Sequence, residues 1–332
     1  MESPHGSGAF DLGALQHADG DPDGQSGEST LTVVIALIAN VLVALAKSAA
    51  AVLTGSASLV AEAAHSWADS GNEVLLLVAD RRSRRAPDEQ HPLGYGREAY
   101  VWSMFAAIGL FVAGAAVSIW HGIQELINPE PASDFAIGYI VLVIACVLEG
   151  VSFLQSVRQA KAGAQEFDRD LLEHVLATSD PTLRAVFAED AAALIGLVVA
   201  AVGLGLHQAT GSPAPDSIGS IVVGVVLAVV AVILIRRNLR FLVGEEVDPQ
   251  VRSAALKSIL ARPEVDRVTY LRLEIVGPRK VYLVGDVDLV GDSVEHTVAE
   301  QLRALEARIC EGPAVVGAVL SLSAADEESL VP

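Results

Sequence analysis

Cysteine is nearly absent. Among 332 residues there are two, Cys146 and Cys310, which supports neither a disulfide framework nor a thiolate metal cluster. Positive charge is scarce as well: 22 Lys and Arg face 41 Asp and Glu, for a formal net charge of −19. Nucleic acid is therefore excluded as a partner, because binding phosphates takes a basic patch and the surplus here is acidic. Residues 1–30 contain no Lys or Arg, while Glu2, Asp11, Asp19, Asp21, Asp23 and Glu28 lie among Gly and Ser. They are expected to form a disordered acidic tail and lack the basic start of a signal peptide.

Apolar residues are what the chain has in excess. They make up 52% of it, and the mean hydropathy of +0.46 is too high for an ordinary soluble enzyme of this length. A helix needs about 20 largely apolar residues to cross the hydrocarbon core. Six such windows occur, at 31–53, 58–79, 101–126, 135–157, 184–207 and 217–235. They are too long and too uniformly apolar for barrel strands, so they are expected to be α-helices.

Basic residues mark alternate connections. Arg81, Arg82, Arg84, Arg85 and Arg97 follow span two, Arg158, Lys161 and Arg169 follow span four, and Arg236, Arg237 and Arg240 follow span six, whereas 54–57, 128–134 and 208–216 have none. The basic connections, and with them both termini, are expected in the cytoplasm. The expected organisation is a six-helix membrane domain over 31–243, a soluble domain over 244–325 and a disordered tail over 326–332. Hydropathy periods in the soluble part predict a helix at 248–262, strands at 265–276 and 280–290, a helix at 293–310 and a strand at 315–322. Asp292 with Glu295 has capping-box spacing, and Val294, Val298, Leu302, Leu305 and Ile309 form one apolar stripe. An αββαβ order fits a small two-layer domain with its helices on one face of the sheet.

Span two carries Glu62, His65, Asp69, Asn72 and Glu73 in a segment otherwise suited to lipid. His65, Asp69 and Asn72 are spaced i, i+4 and i+7, on one helix face. Ionisable groups in the bilayer core are costly, so they mark a functional site or an internal pair. An imidazole and a carboxylate one turn apart are a plausible half-site for zinc; the structural alternative is a packing histidine and a polar clamp between helices. Asp190 in span five is the best partner for a second half-site. Its neighbour Glu189 points about 100° away on the helix, toward another helix or water, or serves as a helix N-terminal carboxylate. Glu149 in span four reads as a partner for Asn40 or Lys47 of span one.

With these residues in view, the chain resembles the cation diffusion facilitators, from residue 31 to residue 323. The resemblance rests on the six spans, the His65-x-x-x-Asp69 pair, the acidic position in span five, the loop His91-Pro-Leu-Gly-Tyr-Gly-Arg97-Glu98 and the αββαβ tail. His65-Ser-Trp-Ala-Asp69-Ser-Gly-Asn72, Leu148-Glu149-Gly150 and Glu189-Asp190-Ala-Ala-Ala look like the zinc-transporter-nine-like branch. The resemblance implies a homodimer in a lipid bilayer, here the cell membrane, that is not an enzyme and has no cofactor. Each protomer would bind one divalent metal ion, zinc first among candidates and manganese, iron or cobalt behind it, and exchange it for protons. The metal set it implies is His65, Asp69 and Asp190, completed from Asn72 and Glu189. In the common zinc-transporting pattern span five has a His or Asp four residues before its Asp; here that position is Val186. Metal binding without turnover, as a regulator or scaffold, is the other reading. A second metal at the loop would use Asp88 and His91, against a structural turn on Pro92, Gly94 and Gly96. In the tail, His296, Asp286 and Asp288 are the remnants of any cluster.

Overall fold

The computed structural model describes residues 26–129, 134–166 and 169–332. The expected disorder of residues 1–25 lies outside the described residues, and the first helix begins at Ser26, inside the segment expected to be disordered. Helices α1 (Ser26–Thr54) and α2 (Ala57–Ser83) are joined by a turn on Gly55, whose φ of 68° suits glycine. The Ser56 side chain caps α2 by accepting from the Leu59 N–H, and Arg81 and Arg82 in its last turn complement the helix dipole. Next come α3 (Glu98–Gly109), a wider π-helical stretch (Leu110–Ala116) and α4 (Val117–Ile127), which together make one helix from Glu98 to Ile127.

The long α5 (Phe135–Glu166) leads through the short α6 (Leu171–Ala177) to α7 (Pro181–Thr210) and α8 (Ala214–Val243). Asp180 caps α7 by accepting from the N–H groups of Thr182 and Leu183, Pro181 fills the first turn, and Gly211 ends the helix at φ 69°. Four helices, Glu98–Ile127, α5, α7 and α8, are long and apolar enough to cross a membrane. The other two spans fall short for identifiable reasons. In α2 the shortfall comes from the polar residues that make it interesting, and in α1 the described apolar stretch is only Asn40–Thr54.

Helix contacts are built from small residues: Ala57, Ala61, Ala192, Ala193 and Ala200 are all buried. Such residues let helix backbones approach closely where lipid offers no hydrophobic drive to associate. The outward face of α5 shows the opposite chemistry, with Ile140, Val143, Val147, Val151 and Leu154 all exposed.

After Gly244 the chain forms α9 (Pro249–Leu260), β1 (Val265–Gly277), β2 (Lys280–Leu289), α10 (Glu295–Ile309) and β3 (Val315–Leu322), the expected αββαβ order. The sheet order is β1-β2-β3, with β1 and β2 antiparallel and β2 and β3 parallel. The parallel pair requires a crossover, which α10 supplies. Ile259, Val268, Leu271, Leu273, Leu283, Val287, Leu305 and Ile309 form the core between helices and sheet. Leu283 is fully buried at its centre, so Leu283→Ala should destabilise the domain by about 2–5 kcal/mol. Calorimetry of the full chain in detergent reads this as a lower transition for the domain; an unmoved transition would contradict the packing.

Two details of this domain depart from the sequence reading. The capping box does not form: α10 starts after Val294, which makes no side-chain cap, so Asp292 lies two residues too early to serve. The final residues are not a loose tail. Leu330 donates its N–H to the Val268 carbonyl at 2.8 Å and packs on the core, while Arg267 donates to the carbonyls of Ala324 and Glu327.

The two parts of the chain touch at the β1–β2 turn. Gly96 lies against Val276 and Gly277 so closely that a Cβ there would sit 2.6 Å from the Val276 carbonyl oxygen. Arg97 pairs with Glu274, and Arg169 with Asp248. Arg279 donates its backbone N–H to Ser179 Oγ and its guanidinium lies 3.4 Å from Asp180, the residue that caps α7.

Candidate metal centre

The site is assembled from α1, α2, α5 and α7. On α2, His65 is fully buried with Nε2 3.2 Å from Asp69 Oδ1. The two atoms are near enough to pair but are misaligned for a hydrogen bond. Among the described residues neither ring nitrogen of His65 nor Asp69 Oδ1 has a hydrogen-bond partner. Buried polar atoms are normally satisfied, so this imidazole beside a carboxylate keeps lone-pair atoms that a ligand could take.

The neighbouring carboxylates are each held by a different group. Asn72 Nδ2 donates to Glu189 Oε1 at 2.9 Å, and Ser152 Oγ of α5 donates to Asp190 Oδ2 at 3.0 Å. Asn40 Nδ2 of α1 donates to Glu73 Oε2 at 3.0 Å. Lys47, also on α1, places its ammonium 3.1 Å from Glu62 and 3.5 Å from Glu149. The sequence alternatives for Glu149 thus resolve to Lys47, and Asn40 turns to Glu73.

Asp69, Glu73, Glu149, Glu189 and Asp190 line one cavity of about 370 Å³, together with Ser152 and Val186. Of the five residues expected to hold metal, Asp69, Glu189 and Asp190 face this cavity directly. His65 and Asn72 stand behind its wall and reach it through Asp69 and Glu189. Among the described residues, no three His, Cys, Asp or Glu side chains are gathered closely enough to hold an ion. The carboxylates are instead kept apart by neutral donors from three helices.

Sequence reading missed four contacts: Glu62 with Lys47, Ser152 with Asp190, Asn40 with Glu73, and Asn72 with Glu189. The one signal for the first was Lys47 itself, the lone basic residue in span one.

The two outlying metal readings gain nothing. In the loop, Asp88 Oδ1 accepts the backbone N–H groups of Gln90 and His91, and its other oxygen accepts the Tyr95 hydroxyl at 2.5 Å. The Tyr95 hydrogen bond, helped by the His91 N–H, holds the Asp88 carboxyl at about 2. A depressed carboxylate stabilises above its ordinary range and loses that contribution only as pH falls through its folded value. The contribution of the Asp88 carboxylate is therefore unchanged near neutrality. Gly94, at φ 74°, completes the turn. In the C-terminal domain Asp288 is paired with Arg267, and His296 is exposed on α10.

Long apolar helices enclosing carboxylates and a buried imidazole define a membrane protein that handles cations. The sequence profile described as "Cation efflux transmembrane domain" matches residues 33–243, and the chain belongs to the cation efflux family, whose members are transporters rather than enzymes. It is 36% identical over 266 residues to metal tolerance protein C4 of Arabidopsis thaliana, covering 80% of this chain and 58% of that one. To the mitochondrial proton-coupled zinc antiporter SLC30A9 of Xenopus laevis it is 34% identical over 269 residues, covering 81% and 48%. To the cation-efflux pump FieF of Escherichia coli it is 24% identical, covering 79% and 85%. The chain spans about half the length of the first two relatives.

Proposed function

We propose that this protein exports a divalent transition-metal ion, zinc foremost, in exchange for protons, with His65, Asp69 and Asp190 as ligands and Asn72 and Glu189 completing or supporting the set. The observation that carries this is the buried His65–Asp69 pair, unspent in hydrogen bonds, beside a carboxylate-lined cavity shared with α7. Likeness to a proton-coupled zinc antiporter supports the choice of zinc and protons. Binding needs a neutral His65 and ionised Asp69 and Asp190, so metal and protons compete for the same groups. The ion draws α2 and α7 together by replacing the Ser152 and Asn72 hydrogen bonds with metal bonds. Rocking of helices around that site exposes it alternately to either side, so inward proton movement drives the metal outward.

The protein works as a homodimer in the cell membrane, with six spans and both termini in the cytoplasm. A second reading, metal sensing without turnover, is favoured by Val186, which gives the cavity wall a methyl surface where relatives of the common pattern have a ligand.

Purified protein in liposomes, offered zinc, manganese, cobalt, iron and cadmium in turn, separates the two. Zinc flux above that of empty vesicles is expected. Zinc binding without flux of any metal would overturn transport in favour of sensing.

A further inference from the structure

Next to the metal centre lies a second group of charges that the proposed transport cycle does not use. Lys47 is 1% exposed and Glu62 0% exposed, deep among α1, α2 and α7. The ammonium touches Glu62 Oε2 at 3.1 Å and Glu149 Oε1 at 3.5 Å, so carboxylates from α2 and α5 share one cation supplied by α1. Glu62 Oε1 is left without a hydrogen-bond partner among the described residues. It is also sealed in: a Cβ on Gly196 of α7 would lie 2.3 Å from it. Glu149, by contrast, reaches the cavity that Asp69 and Asp190 line.

One carboxylate is enough to neutralise the ammonium and tie α1 to α2, and α5 adds a second. This arrangement spends two carboxylates on one positive charge and leaves a buried oxygen idle. Two carboxylates a few ångströms from a common point are instead what an oxygen-preferring divalent cation is held by. The Lys47 ammonium occupies that point. Its stem fixes it there, so unlike a free ion it cannot leave when the helices rock.

On the reading that His65, Asp69 and Asp190 hold the cargo, we propose that Lys47 is a tethered cation filling a second carboxylate site, Glu62–Glu149, and so limits the cavity to one divalent ion per protomer. It acts as a specificity-determining residue: it counts ions without touching the cargo.

The test is equilibrium dialysis of the purified full chain against zinc, and separately manganese, with bound metal counted per chain. One zinc is expected for the native protein and for Lys47→Arg, two for Lys47→Met, and one again for Lys47→Met combined with Glu149→Gln. One zinc in a folded Lys47→Met protein overturns the inference and leaves Lys47 as a structural tie. Should Lys47→Met fail to fold, Glu149→Gln alone decides, since it keeps the Lys47–Glu62 pair. It should still bind one zinc with affinity within about threefold of native, and loss of that zinc would make Glu149 a cargo ligand and end the separate site. A native chain that binds no zinc refutes the cargo site itself, and with it the inference that leans on it. Those two failures are told apart by the native count.

Discussion

Asp190→Ala and Asp69→Ala are each expected to lower zinc flux in liposomes by at least about 100-fold, with insertion and dimerisation intact. The size follows from what is removed: losing a group that merely supports a metal ligand costs about 10–100-fold, and a charged ligand is worth more. Folding should survive because neither carboxylate holds the bundle together. Asp190 accepts a hydrogen bond from Ser152, and Asp69 lies 3.2 Å from His65 Nε2. Removing either leaves no buried charge stranded, the situation that makes breaking an ion pair so destructive. Lys47 offers the contrast, since loss of Glu62 would leave a buried ammonium with only the longer contact to Glu149. Native flux in a correctly folded Asp69→Ala or Asp190→Ala protein would refute the assigned site.

Imposing a proton gradient should accelerate zinc flux, and reversing it should slow or reverse the flux. An ordinary imidazole changes charge near pH ~6.5, inside the working range of a cell. While His65 holds a proton it cannot donate a lone pair to zinc, so zinc affinity should fall by up to about tenfold per pH unit below the value at which the metal-free site titrates. His65→Ala should flatten this dependence near neutrality while the carboxylates preserve a weaker one at lower pH. Initial zinc flux with internal and external pH varied independently measures both effects. Flux that follows the zinc gradient alone would reject exchange with protons and leave facilitated diffusion.

Much of the fold could be read before any coordinates, because four apolar runs had the length of a crossing helix and β2 alternated with period two. The His65–Asp69 approach was legible for a similar reason: a spacing of four residues puts two side chains on one face whatever surrounds the helix. What could not be read is which neighbour each face meets. Asn72 shares that face by spacing, yet it turns to Glu189, 117 residues away in sequence. Glu62 finds Lys47, and Asp190 finds Ser152, through packing that no periodicity encodes. The C-terminal residues misled for a different reason. Leu330 is a single apolar anchor in an acidic stretch, and one residue makes no pattern. The Asp292–Glu295 spacing was correct for a capping box, but the backbone begins its helix two residues too late for Asp292 to use it.

Asp180 closes the first turn of α7 and also meets Arg279 from the β1–β2 turn. Ten residues further along the same helix stands Asp190, about 15 Å away at helical rise. One rod therefore carries the proposed cargo ligand at one station and meets the C-terminal domain at its end, like a tiller fixed to a rudder post. With an ion held there as proposed, a small tilt of α7 would reach the hairpin as a larger sweep, and force applied to the hairpin would return to the carboxylates. On the proposed function, the C-terminal domain would feel whether the membrane site is occupied without holding a metal of its own.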